Sequence, residues 1–98
     1  MADIVLNRTH AFPLDIAKAK MARMVDSFKN KNPGFVDTVS WSEDGCSAAA
    51  TGKMFDSRFN VTDSTFGVEV DLKGFAAKLA KGMAQSRLEK TVAEEFPV

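Results

Sequence analysis

The stretch "FGVEVDLKGFAAKLAKGM", residues 66–83, changes its hydrophobic period at a single glycine. Before Gly74 apolar and polar residues alternate, which is the pattern of a β-strand with one buried face. After Gly74 apolar residues recur every three to four positions, which is the pattern of an amphipathic helix. The stretch therefore predicts a strand that leads directly into a helix. The side chains expected on the buried face of the strand are Phe66, Val68, Val70 and Leu72.

Two further elements are predicted before residue 35. The alternation in "DIVLNRTH", residues 3–10, predicts a strand with one face formed by Ile4, Leu6, Arg8 and His10. Pro13 suits the first turn of a helix, and "NPG" at 32–34 is expected to end that helix. Its apolar stripe comprises Leu14, Ala17, Met21, Met24, Val25 and Phe28.

The middle of the chain predicts an antiparallel meander of four strands. Turn signals at Asp44-Gly45, Gly52-Lys53 and Asp63-Ser64 separate "FVDTVSW", "CSAAATG", "MFDSRFNV" and "TFGVEVDLK". Val39 and Trp41 share a face of the first of these strands, and we expect Trp41 to be largely buried.

These patterns predict a single α+β domain over residues 1–98 with the order β-α-β-β-β-β-α. A sheet with one apolar face must be covered, and the two helices are the elements available to cover it. We expect a five-stranded antiparallel sheet of strand order 2-3-4-5-1, with both helices on one face in a helix-grip-like layout.

Composition narrows the class of protein. Thirteen basic residues balance thirteen acidic ones, so no overall charge favours nucleic acid or an anionic membrane, and a local charged patch is the alternative left open. One cysteine, Cys46, rules out an internal disulfide, and no apolar run is long enough to span a membrane. We expect a cytoplasmic protein.

Few residues suggest a chemical site. Arg8 and His10 share a strand face and could bind an anion or position a proton, but closing the end of the core is the favoured interpretation. Cys46 is expected to be a small buried side chain, and the acidic pairs Glu43–Asp44 and Glu69–Asp71 are expected to face water. Without a catalytic or phosphate-binding motif, we predict no enzyme activity, cofactor or metal.

Methionines allow two interpretations. Met21, Met24 and Met83 lie on helix stripes, where they could line an adaptable pocket for an acyl chain. Ordinary filling of the core is the favoured alternative.

The terminal helix carries two apolar stripes on opposite sides. The first comprises Phe75, Ala76, Leu79, Ala80 and Met83, and is expected to pack on the sheet. The second comprises Leu88, Val92 and Phe96, while Arg87, Lys90 and Glu94 take over the angle of the first. Either the helix bends near residues 84–86, or the second stripe faces a partner. Our hypothesis is that Leu88, Val92 and Phe96 form a self-association or docking surface, for example in a homodimer.

With this element order, the chain resembles the polyhydroxyalkanoic acid system protein family, small bacterial proteins associated with polyester storage granules. The residues that carry the resemblance are "ADIVLNRTH" with Arg8 and His10, the helix residues Leu14 and Ala17, and the segments "RFNV" and "VEVDLKGF". The chain departs from the family at Phe12-Pro13, where a smaller, glycine-bearing entry to the helix is expected.

The resemblance implies a non-catalytic protein of polyhydroxyalkanoate storage that acts on a granule, its coat protein or the polymer synthase. The alternative is a carrier or enzyme that holds an apolar small molecule between sheet and helices. A carrier needs a cavity of roughly several hundred Å³. We expect Trp41, Phe55, Phe59 and Phe66 to fill that space instead.

Overall fold

The computed structural model describes residues 3–31, 36–79 and 81–96. Five strands and three helical segments follow one another along the chain. They are β1 (Ile4–Thr9), α1 (Leu14–Lys31), β2 (Thr38–Trp41), β3 (Ser47–Thr51), β4 (Phe55–Val61), β5 (Thr65–Leu72), α2 (Gly74–Leu79) and α3 (Lys81–Glu95). The predicted "NPG" stop at 32–34 lies outside the described residues.

The strands form one antiparallel sheet of order β1-β5-β4-β3-β2. This confirms the predicted topology, in which the first strand pairs with the last. The register places Leu6 of β1 and Phe59 of β4 on either side of Val68. Because side chains alternate across a strand, these three residues share one face. That face forms the core, and the four alternating apolar residues of β5 are all buried in it.

Helices α1 and α3 cover this face. The middle of the α1 stripe is buried, as predicted, at Ala17, Met21, Met24 and Val25. Leu14, at the first turn, is 37% exposed, so its predicted burial is wrong. From α3 the buried residues Leu88 and Val92 join the same core cluster.

Trp41 departs from its predicted burial. It pairs with Ala48, which lies opposite Phe59, so Trp41 does lie on the apolar face of the sheet. Its side chain is nevertheless 43% exposed. β2 is an edge strand, and Trp41 is incompletely covered there.

The link from β5 to α2 depends on a glycine. Gly74 has φ +82°, a left-handed conformation that residues with a Cβ rarely adopt. The residue before it, Lys73, is held in place because the Lys73 N–H donates to the Met54 carbonyl at 2.7 Å. The helical segments therefore begin at the end of the sheet where β5 ends, beyond Leu72.

The order of burial along the terminal helical region is the reverse of the prediction. Leu79 and Met83, from the stripe expected to pack on the sheet, are 73% and 65% exposed. Side chains of Phe75 and Ala76, and residue Ala80, lie outside the described part. The reason is positional: the first turns lie near the end of the sheet, and the later turns of α3 reach its apolar centre. α3 is also continuous through residues 84–86, where a bend or break was one of the two alternatives considered.

Candidate functional site

Helices α1 and α3 meet near one end and separate towards the other. Near the C-terminal end of α3, Glu95 contacts two basic side chains of α1. Its Oε1 lies 3.0 Å from Arg23 Nη2 and 3.8 Å from Lys20 Nζ. Towards the N-terminal end of α3, a cleft opens between the two helices.

Where the helices meet, aromatic rings fill the space over the sheet. The Phe96 ring stacks on Phe66, with centroids 4.5 Å apart and planes 12° from parallel. Phe12 packs edge-on against Phe96 at 6.2 Å, and His10 lies 5.5 Å from the same ring. We call this group, His10, Phe12, Phe66 and Phe96, the closed end.

Where the helices separate, the cleft has a volume of about 510 Å³. We call it the open-end cleft. Apolar side chains of the sheet form its floor, namely Ile4, Phe55, Phe59, Val70 and Leu72. Met24, Ser27 and Phe28 of α1 form one wall, and the Phe28 ring meets Phe55 edge-on at 5.2 Å. Met83, Ala84 and Leu88 contribute to the α3 wall. Phe59 and Phe66 are buried in the core, as expected, and the open-end cleft is open to solvent and is not an internal cavity.

Charged side chains of α3 stand at the mouth of this cleft. Met83, Arg87, Lys90 and Glu94 follow at intervals of four, three and four residues, which places them on one helix stripe. In the part of the chain that the structure describes, neither Arg87 nor Lys90 forms an ion pair. Both cations are exposed and available to an anion at the mouth.

The cleft offers apolar contact and charge. Its hydroxyl groups belong to Ser27 and Thr91, and the Thr91 hydroxyl donates to the Arg87 carbonyl at 3.1 Å. Across residues 3–31, 36–79 and 81–96, no three His, Cys, Asp or Glu side chains are grouped so that they could hold a metal ion. An apolar chain with an anionic head matches what the cleft presents.

His10 lies at the closed end, away from the cleft. The Phe12 N–H donates to His10 Nδ1 at 3.1 Å, so Nδ1 acts as an acceptor. Nε2 then carries the proton and donates to the Thr62 carbonyl at 2.9 Å. Backbone groups thus occupy both ring nitrogens, which supports a structural role for His10.

Arg8 lines a separate groove beside the edge strand β1. The groove has a volume of about 420 Å³ and is bounded by residues 6–9 and Glu89 of α3. Among the described residues, the Arg8 side chain has no hydrogen-bond or ion-pair partner, while its backbone pairs with Phe66 in the sheet. The structure therefore does not join Arg8 and His10 in one polar site, since the two side chains have different surroundings.

The docking surface predicted at Leu88, Val92 and Phe96 is wrong. All three side chains are buried in the core of this chain. Phe96 stacks on Phe66, Leu88 helps to line the cleft, and Val92 is fully buried. The apolar surface of these three side chains is buried by contacts within the chain and is not available to a partner.

Acidic residues have local partners. Asp44 accepts hydrogen bonds from the Ser42 hydroxyl at 2.6 Å and the Cys46 N–H at 3.0 Å, and these bonds lower its pKa. Glu69 and Asp71 both pair with Arg58. The hydrogen bond to Asp71 is the main reason that the pKa of Arg58 is raised, and the hydrogen bond to Glu69 is the second. The Asp44 contacts stabilise the turn between β2 and β3, and the Arg58 contacts join β4 to β5 on the outer face of the sheet. Cys46 is half-buried against the core.

The cleft was the feature that sequence reasoning missed. Its signal was the stripe of Met83, Arg87, Lys90 and Glu94, in which methionine and charges share one helix angle. Of the three methionines considered for a pocket, Met24 and Met83 line the cleft, whereas Met21 is buried in the core.

Comparison of the chain with known protein families, with curated proteins and with solved structures finds no match. None of the helices in the described ranges has the length and apolar character needed to cross a bilayer.

Proposed function

We propose that this chain is a non-catalytic binding protein that holds the apolar chain of an anionic amphiphile, such as a fatty acid or hydroxy acid. The observation that carries the proposal is the open-end cleft. Its volume of about 510 Å³ falls within the usual range for ligand sites, about 300–1,000 Å³. Its floor is apolar, and its walls include Met24 and Met83, whose flexible side chains suit an irregular or variable ligand.

The charges at the mouth indicate the polarity of the head group. Arg87 and Lys90 lie on the cleft side of α3 without an ion-pair partner among the described residues. A carboxylate placed there would meet two cations, whereas its chain would follow the apolar floor. Glu94 lies one turn beyond Lys90 on the same stripe and disfavours a second negative group further along the mouth.

The family resemblance supplies a cellular setting for this proposal. In polyhydroxyalkanoate storage the fitting ligands are 3-hydroxyalkanoates or their short oligomers, which combine an apolar chain with a carboxylate. We therefore propose a cytoplasmic protein that acts at or near the storage granule. Fluorescently tagged protein should move to granules in cells grown with excess carbon. Diffuse signal in granule-filled cells would refute the proposed role at the granule.

Calorimetric titration tests the binding proposal itself. We expect the protein to bind decanoate and 3-hydroxydecanoate. The Ala84→Phe variant should lose this binding because its ring occupies the cleft. Arg87→Gln combined with Lys90→Gln should weaken decanoate binding about tenfold or more and leave decanol binding unchanged, because removing a charge pair for the head group costs more than about 1.4 kcal/mol.

Matched controls exclude general effects of charge and of folding. Lys29→Gln combined with Lys53→Gln removes the same charge from exposed positions that do not line the cleft, and should bind like the parent. Thermal unfolding should show that each variant is folded. Failure of the parent to bind any of these ligands, or full binding by Ala84→Phe, would refute the proposal.

A further inference from the structure

Positive charge is concentrated around the junction of α2 and α3. The segment of residues 73–90 contains five basic residues and one acidic residue, a net charge of +4. The other eighty residues contain eight basic and twelve acidic residues, so the chain as a whole is neutral. The neutral total therefore conceals one basic region.

Three of these five basic residues have no ion-pair partner among the described residues. They are Lys81, Arg87 and Lys90, and all three are exposed. The other two form surface ion pairs, Lys73 with Asp56 at 3.0 Å and Lys78 with Asp3 at 3.4 Å. Asp56 and Asp3 offset the charges of Lys73 and Lys78, so the positive charge presented by this region comes chiefly from Lys81, Arg87 and Lys90.

Two large apolar side chains lie exposed within the same region. Leu79 ends α2 with 73% of its surface exposed, and Met83 lies in the first turn of α3 with 65% exposed. These are the largest exposures among the large hydrophobic residues of the described chain. Single exposed apolar residues are common, but here two of them lie within five positions, with Lys78, Lys81 and Arg87 close to them in the sequence.

From this combination we propose that the α2–α3 junction docks on an anionic phospholipid surface. Lys81 and its basic neighbours would approach the lipid phosphates, while Leu79 and Met83 would insert at the boundary between head groups and acyl chains. Basic residues beside exposed apolar ones are the chemistry of interfacial helices. Each Lys or Arg near an anionic leaflet adds binding energy. The proposal goes beyond ligand binding and does not depend on it, although Met83, Arg87 and Lys90 belong to both surfaces.

Vesicle co-sedimentation tests this surface with variants that leave the cleft intact. The parent should bind vesicles that contain phosphatidylglycerol and should not bind vesicles of phosphatidylcholine alone. Leu79→Ser and Lys81→Glu, neither of which lines the cleft, should each lower the vesicle partition coefficient by at least about fivefold, a change that corresponds to about 1 kcal/mol. High salt should release the parent, because it screens exposed charges.

The controls place comparable changes elsewhere. Val5→Ser replaces an apolar residue that is 51% exposed on β1, and Lys53→Glu reverses an exposed charge between β3 and β4. Both should bind vesicles like the parent, and so should the cleft variant Ala84→Phe, which separates this proposal from ligand binding. A parent that leaves anionic vesicles unbound would overturn the proposal, as would one that binds only a polyglutamate matrix. Equal loss in the control variants would also contradict it.

Discussion

The closed end and the open-end cleft rest on the same apolar sheet face, yet only one is filled. At the closed end Phe96 lies flat on Phe66, and His10 and Phe12 complete the packing. At the open end the sheet again offers two rings, Phe55 and Phe59, but α3 presents the small side chain of Ala84 and directs Met83 towards solvent. The comparison shows how one layer of helices can stabilise a small domain at one end and leave a binding cleft at the other.

Replacing a phenylalanine at each end should produce the largest difference. Phe96→Ala should lower the free energy of unfolding by about 3–5 kcal/mol, because it removes a fully buried ring from the closed end. Phe55→Ala should cost less than Phe96→Ala, because Phe55 is half-buried and one side already borders the cleft. Denaturant unfolding measures both values. Equal costs would contradict the distinction between the two ends.

Enlarging an alanine on each side of the core sharpens the same comparison. Ala48→Phe should destabilise the protein by about 1–3 kcal/mol, because Ala48 is buried opposite Phe59 and does not line the cleft. Ala84→Phe should change stability by less than about 0.5 kcal/mol or increase it, because its ring enters the cleft. If Ala84→Phe costs as much as Ala48→Phe, the cleft does not have the described shape.

His10→Ala tests whether the closed end is purely structural. We expect a loss of about 0.5–3 kcal/mol, because the Phe12 N–H and the Thr62 carbonyl both lose their partner. Ligand binding in the cleft should be unchanged in calorimetric titration. A reaction catalysed by the parent and abolished by His10→Ala would reverse the structural assignment.

Asp3, beside the end of β5, should make the stability of the protein depend on pH. It accepts the Leu72 N–H at 2.8 Å and lies 3.4 Å from Lys78, and the hydrogen bond to Leu72 is the main reason that its pKa is lowered. A lowered pKa in the folded state contributes stability above the ordinary value of about 3.9, and this contribution is lost as pH falls through the folded pKa.

Asp3→Asn should therefore be less stable than the parent at pH 7, with the difference shrinking below about pH 4. The effect should be the smallest of the four, because the carboxylate is only partly buried and loses one hydrogen bond from a backbone N–H. Thermal unfolding across this range measures it, with Asp26→Asn, an exposed change on α1, as the control. A difference that grows with acid would show that the sign is wrong.

Strand topology could be predicted because local patterns left little freedom. Alternation in β5 placed Phe66, Val68, Val70 and Leu72 on one face, and a one-residue slip would have exposed all four. The exposure of Trp41 could not be predicted in the same way. Alternation assigns a face to a residue, but coverage of that face depends on where the helices end relative to the edge strand.

The site was harder to predict because both stripes of the terminal helical region were plausible core residues. Which stripe packs on the sheet depends on the direction in which the chain leaves the sheet at Gly74 and on the stacking of Phe96 on Phe66. Both are features of the tertiary structure. With the second stripe buried, Arg87, Lys90 and Glu94 move to the mouth of the cleft. An empty space has no sequence pattern of its own, since it is the result of small residues such as Ala84 lying opposite a wide sheet.

The most direct test of the central claim is to locate an apolar chain within the protein by methyl NMR. Methionine methyl groups report both regions, because Met24 and Met83 line the cleft and Met21 is buried in the core without lining it. A decanoate carrying a nitroxide near its terminus should broaden the signals of Met24 and Met83 strongly and that of Met21 less. Broadening of all three to the same degree, or of none, would contradict binding in the open-end cleft.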